Sequence, residues 1–135
     1  MYSHLYTDDI PKLHELQQLV DIDGRTVRVM ESVAVKWKDV AAALGFNGSR
    51  INSLEADVHH MSEDASREMF IKWLSGEHDL RGPTTWATLV QCLREARLVQ
   101  IAVKIESIWF NRRRVTVRKN NKYIVQVMHD YFYRV

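Results

Sequence analysis

Four kinds of chemistry have the residue types they need in this sequence of 135 residues: a thiol nucleophile, a histidine metal site, an aromatic box and a polyanion-binding run. Cys92 is the sole cysteine. Nucleophilic use needs a neighbouring base and an activated thiolate; no histidine lies near it in sequence, and it reads as a buried structural thiol beside Leu93. His59-His60, with Asp57 and Glu63 close by, is the single histidine cluster. Adjacent histidines point in different directions and match no zinc spacing, so they read as a solvated joint between helices. The other histidines are scattered. Trp37, Trp73 and Trp86 each fall on an apolar helix stripe and read as core. Trp109 reads either as an anchor for the C-terminal segment or as exposed if that segment is loose. Dinucleotide, phosphate-loop, zincin, serine-elbow and CxxC motifs are all missing. No catalytic site, metal, cofactor or small-molecule substrate is expected.

The fourth chemistry has more substance. Arg112, Arg113, Arg114, Arg118, Lys119 and Lys122 form a dense basic run able to neutralise phosphates without reading sequence, and Tyr123 and Tyr131 are able to stack on bases. This makes nucleic acid or an anionic membrane the alternative partner. Net charge is +2, distributed as −4 over residues 1–24, +1 over 25–105 and +5 over 106–135. A balanced middle gives no reason to bind a polyanion. Opposite charge at the two ends also allows the basic end to contact the acidic one within the chain. The lone cysteine excludes an intramolecular disulfide and fits a reducing, cytoplasmic setting. No apolar leader and no run approaching 18 apolar residues points to a signal peptide or a transmembrane segment. Asn47-Gly48-Ser49, a formal glycosylation triplet, reads as a turn.

The elements that must hold these residues are helical. Ile10, Leu13 and Val20 mark a first helix, with Asp9 as its cap and Pro11 in its first turn, ended by Asp21-Ile22-Asp23-Gly24. Val27, Met30, Val33 and Ala34 form a second apolar face. Trp37, Val40, Ala41 and Leu44 follow at offsets 0, 3, 4 and 7, and Gly45 fits the left-handed position that ends such a helix. Ile51, Leu54 and Val58 make a short helix. Ser62 reads as an N-cap, with Glu63 and Asp64 in the following turn, before a face of Ala65, Met69, Phe70, Trp73 and Leu74. Thr84 or Thr85 caps the next helix, where Trp86, Leu89, Val90 and Leu93 recur. Leu98, Ile101, Ala102 and Ile105 repeat the pattern, continued by Ile108 and Trp109. These are seven helical segments, with no strand pattern before residue 112. Residues 112–119 stay open between a helix and a hairpin around Asn120-Asn121, and 122–133 fits a helix better.

Several of these segments resemble one family. Trp37-Lys38-Asp39-Val40-Ala41-Ala42-Ala43-Leu44-Gly45-Phe46 is similar to the W..LA..LG signature of the death domain. Ile51-Asn52-Ser53-Leu54-Glu55 resembles its following I..IE helix, Phe70-Ile71-Lys72-Trp73-Leu74 its fourth helix, the segment from Thr85 to Leu93 its fifth, and Leu98 through Ile105 its sixth. No single piece is specific, but the ordered set over about residues 25–106 is. The resemblance implies an all-α fold, a six-helix antiparallel Greek-key bundle, here with an acidic helical extension (1–24) and a basic C-terminal extension (107–135), whose later part reads as helical. It implies a non-enzymatic signalling adaptor in cell death or innate immunity, whose partners are other death-domain-like proteins and itself. By the same resemblance, three surfaces would carry the contacts. These are the second- and third-helix corner (Lys38, Asp39, Arg50, Glu55), the first- and fourth-helix face (Arg28, Glu31, Arg67, Glu68, Lys72), and the loop after the fourth helix (Glu77, Asp79, Arg81).

Overall fold

In the computed structural model, residues 9–59, 61–77 and 79–120 are described, with side chains as far as Arg112. Their helices are α1 (Leu13–Gln17), α2 (Val29–Ala34), α3 (Trp37–Ala43), α4 (Gly48–Asp57), α5 (Ser62–Leu74), α6 (Trp86–Glu95) and α7 (Val99–Asn120). Two short strands, β1 (Leu19–Val20) and β2 (Thr26–Val27), stand between α1 and α2. The described chain is thus an all-α bundle with one small hairpin. That hairpin corrects the expectation of no strand before residue 112. It is antiparallel, with Leu19 opposite Val27, and turns at Gly24, where φ is +85°. Leu19 and Val27 are both buried. Two residues per strand are too few to write an alternating pattern.

Local side chains set the starts of α1, α4 and α6. Asn47 accepts the Arg50 N–H at 2.9 Å and Thr85 accepts that of Thr88 at 3.3 Å, each satisfying an otherwise orphaned donor. Ser62 is not a cap: it is the first helical residue of α5, after Met61. Asp9 does not cap α1 either. Its carbonyl accepts the Trp86 N–H at 3.0 Å, and α1 opens after Lys12, whose N–H donates to Glu15 at 3.1 Å. Helix α7 runs unbroken to Asn120, which removes the hairpin alternative for Val115 and Val117. The helix expected over 122–133 lies outside the described residues.

The apolar stripes meet in one core. Leu16 and Leu19 join Val29 and Val33 of α2, Trp37, Val40 and Leu44 at α3, Met69, Phe70 and Trp73 of α5, Trp86, Leu89 and Leu93 of α6, and Ile105, Ile108 and Phe110 of α7. Helix α5 packs on α2, α3 and α4, and α6 packs on α3 and α7. Phe70 and Trp73 meet edge-on at 6.5 Å, a favourable aromatic geometry. Trp109 lies 5.8 Å from Trp86, so it anchors α7 to α6. Buried Ser66 donates to the Met30 carbonyl at 2.9 Å, fastening α5 to α2.

The backbone comes close to another segment at the end of α3. Gly45 has φ +103°, and a Cβ there would lie 3.1 Å from the Arg81 nitrogen and 3.2 Å from the Leu80 Cα. The Arg81 N–H donates to the Leu44 carbonyl at 2.7 Å, and the Trp73 indole donates to the Arg81 carbonyl at 3.1 Å. The connection from α5 to α6 is therefore seated on the corner between α3 and α4. Gly45→Ala should destabilise the chain by about 1–3 kcal/mol, through backbone strain and displacement of this loop. Trp73→Ala should cost roughly 3–5 kcal/mol. Urea unfolding followed by circular dichroism reads both.

Candidate interaction surfaces

Arg50, in the first turn of α4, reaches the connection from α5 to α6. Its guanidinium pairs with Glu77 and, at 2.6 Å, with Asp79, and it lies 4.7 Å over the Phe46 ring. Arg81, in the same connection, grips Glu95 of α6 through two hydrogen bonds of 2.8 and 2.9 Å. That contact, with a second from Gln91, holds the Glu95 carboxyl below its ordinary range. Arg50, Glu77, Asp79 and Arg81, expected on two separate surfaces, are thus joined in one patch. Their side chains are between about a quarter and a half exposed. The two arginines hold the patch together, and it presents two charges of each sign.

The remaining residues stand apart from this patch. Lys38 of α3 pairs with Glu55 of α4 at 2.7 Å. Asp39, one residue on, is exposed and lines a shallow cleft with Lys36, Glu95 and Arg97. On the packed pair α2 and α5, Arg28–Glu31 at 3.6 Å and Arg67–Glu68 at 3.7 Å are loose, well-exposed pairs. Each contributes only ~0–1 kcal/mol, so a partner's charges displace them at little cost. Lys72 lines a groove with Asp57 and Glu68.

The basic run divides. The Arg112 guanidinium donates to the Val20 carbonyl at 2.8 Å, approaches Glu15 at 3.7 Å and lies 4.8 Å over the Trp109 ring. Arg112 is therefore committed within the chain. Arg113, Arg114, Arg118 and Lys119 lie on the helical backbone of α7, and Lys122 lies outside the described residues. One step before Arg112, Asn111 donates to Asp21 at 3.3 Å. Asp21 is 4% exposed and also accepts from Arg25 at 2.8 Å and from the Ile22 N–H at 2.7 Å. Burial pushes its carboxyl up, but those hydrogen bonds outweigh burial and leave it below the ordinary value. The acidic start and the basic end do meet, through Glu15, Val20 and Asp21. On the other side of α7, buried Glu106 pairs with Arg94 of α6. Sequence reading missed Asp21 and Glu106 as anchors, because a buried carboxylate has no local signature when its partner is distant.

The thiol is set in protein. Cys92 is fully buried, its sulfur 3.5 Å from the Ala43 carbonyl, and burial pushes its pKa up to about 11. At neutral pH it stays protonated. His59 is exposed with φ +53°, and His60 lies outside the described residues. Among the described residues no three metal-ligating side chains gather, and no helix is long and apolar enough to cross a membrane.

The family model of the death domain matches residues 24–109, which span α2 to α6 and the first half of α7. No curated protein and no solved structure matches the chain.

Asp21 makes the electrostatic side of this arrangement testable. Its folded pKa is depressed, so its stabilisation is present above the unfolded carboxyl value of about 3.9 and is lost as pH falls through the folded value. Asp21→Ala should cost about 1–3 kcal/mol at pH 7, by stranding the donors of Ile22 and Asn111. Urea titrations at pH 7 and pH 3 should show a smaller difference between variant and parent at the lower pH.

Proposed function

Because this chain belongs to the death domain family, we propose that it is a non-enzymatic signalling adaptor module, assembling with other death-domain-like proteins and with copies of itself. In this reading helices α2 to α7 form the family's antiparallel six-helix Greek key. Residues 1–24 are an acidic extension, 25–106 the bundle and 107–135 a basic extension. Cell-death or innate-immune signalling is the setting the family suggests.

The observation that carries the reading is the distribution of exposed charge. Loose pairs on α2 and α5 (Arg28, Glu31, Arg67, Glu68) and the α3–α4 corner (Lys38, Asp39, Glu55) offer both signs on different faces of the same bundle. A face that complements a different face of the next copy leaves one face free at each end, and such contacts propagate into rings where the rotation closes and into open stacks where it does not. Each exposed pair adds little, so charge sets partner choice and register, and affinity comes from many subunits. The clasp of Arg50, Glu77, Asp79 and Arg81 supports this role by fixing a charged loop before any partner arrives, which lowers the ordering cost of binding.

Charge reversal tests the reading. Arg28→Glu or Arg67→Glu on one face, and Asp39→Lys or Glu55→Lys on the other, should each weaken self-association or capture by a death-domain module. Helix content should stay at the parent level by circular dichroism. If all four variants sediment and pull down like the parent, the assembly role fails. Binding to generic duplex DNA or anionic vesicles that disappears on deleting residues 112–135 would assign the function to the basic segment instead.

A further inference from the structure

Beside α7 lies a groove with a different character from the charged faces. Val27 of β2 and Val103 and Ile108 of α7 form its apolar floor, and Arg25, Lys104 and Ser107 line its edge, enclosing about 300 Å³. No carboxylate lines it. Val103 is 50% exposed, and Val99, one turn earlier on α7, is 46% exposed. An apolar floor with a cationic edge fits an apolar side chain flanked by carboxylates.

The same chain carries such a group on other elements. Between α4 and α5, Met61 is 59% exposed, and the next two acids, Glu63 and Asp64, stand exposed in the first turn of α5. No lysine or arginine occurs from Asp57 to Ser66. Neither Glu63 nor Asp64 has an ion-pair partner among the described residues, and nor does Lys104. Methionine's unbranched, polarisable side chain adapts to shallow apolar sites.

We propose that the joint between α4 and α5 of one copy docks into the groove between β2 and α7 of a second copy, Met61 on Val27, Val103 and Ile108, with Glu63 and Asp64 meeting Lys104 and the exposed side of Arg25, which keeps its bond to Asp21. The two halves sit on different elements, so a head-to-tail pair leaves a free half at each end and continues to grow, whereas a two-fold pair uses both halves and stops at a dimer. It rests on the assembly role proposed above and adds a specific interface to it, one that uses the β1–β2 hairpin. Because α7 is pinned to the hairpin by Asp21–Asn111 and by Arg112 on Val20, the groove keeps its shape without a partner.

A charge swap in the full chain tests the contact. Lys104→Glu alone, and Glu63→Lys with Asp64→Lys, should each weaken self-association about tenfold or more, since like charges then face one another. The three changes combined should return association toward the parent level. Met61→Ser should weaken it without altering its salt dependence. All these positions are exposed, and circular dichroism confirms folding. If Lys104→Glu and Met61→Ser associate like the parent while Arg67→Glu does not, this contact is wrong and the assembly role stands. A parent chain that neither self-associates nor binds any death-domain module would overturn both.

Discussion

The close approach of Gly45 to the chain around Arg81 is the constraint on which most of the rest depends. It requires a residue without a side chain in a left-handed conformation, and the reward is a backbone hydrogen bond from Arg81 to Leu44. Once that corner is closed, the connection between α5 and α6 has nowhere else to go. Trp73 caps the Arg81 carbonyl from inside, Arg50 ties down Glu77 and Asp79 from outside, and Arg81 reaches Glu95. These contacts hold the described residues of the connection against the corner.

Helix α7 is positioned in a different way. Its inner face buries Ile105, Ile108 and Phe110, but its alignment comes from polar contacts on two sides. Glu106 meets Arg94 on α6, and Asn111 and Arg112 meet Asp21, Glu15 and Val20 at the N-terminal end. Breaking one partner of a buried charged contact leaves the other unsatisfied, so such contacts specify geometry more than they add net stability. They also tie the first cation of the basic run to the N-terminal end of the chain.

Much of the bundle was legible because its stripes repeat at 3, 4 and 7. Trp37, Val40, Ala41 and Leu44 placed α3, and Trp86, Leu89, Val90 and Leu93 placed α6. Gly45 as a helix end was readable from residue type alone, because few residues do that job well, whereas Thr84 and Thr85 were equal candidates for the cap and the structure uses Thr85. The β1–β2 hairpin was not legible, since two-residue strands are below the length at which alternation shows. Ser62 and Asp9 misled because a good capping residue near a helix start need not be the cap. Arg50 with Glu77 and Asp79, and Arg112 with Val20, join residues far apart in sequence; no local pattern records such pairs. The resemblance put Arg50 on one surface and Glu77, Asp79 and Arg81 on another, whereas contacts between distant positions join them in one patch.

The account makes the bundle a rigid carrier of charged faces whose work is done between molecules. Sedimentation velocity of the full chain over a range of concentrations, at low and high salt, tests that most directly. Species that grow with concentration and shrink as salt screens the exposed charges are the predicted result. A single monomeric species across the whole range, with no binding to a death-domain partner, would contradict it.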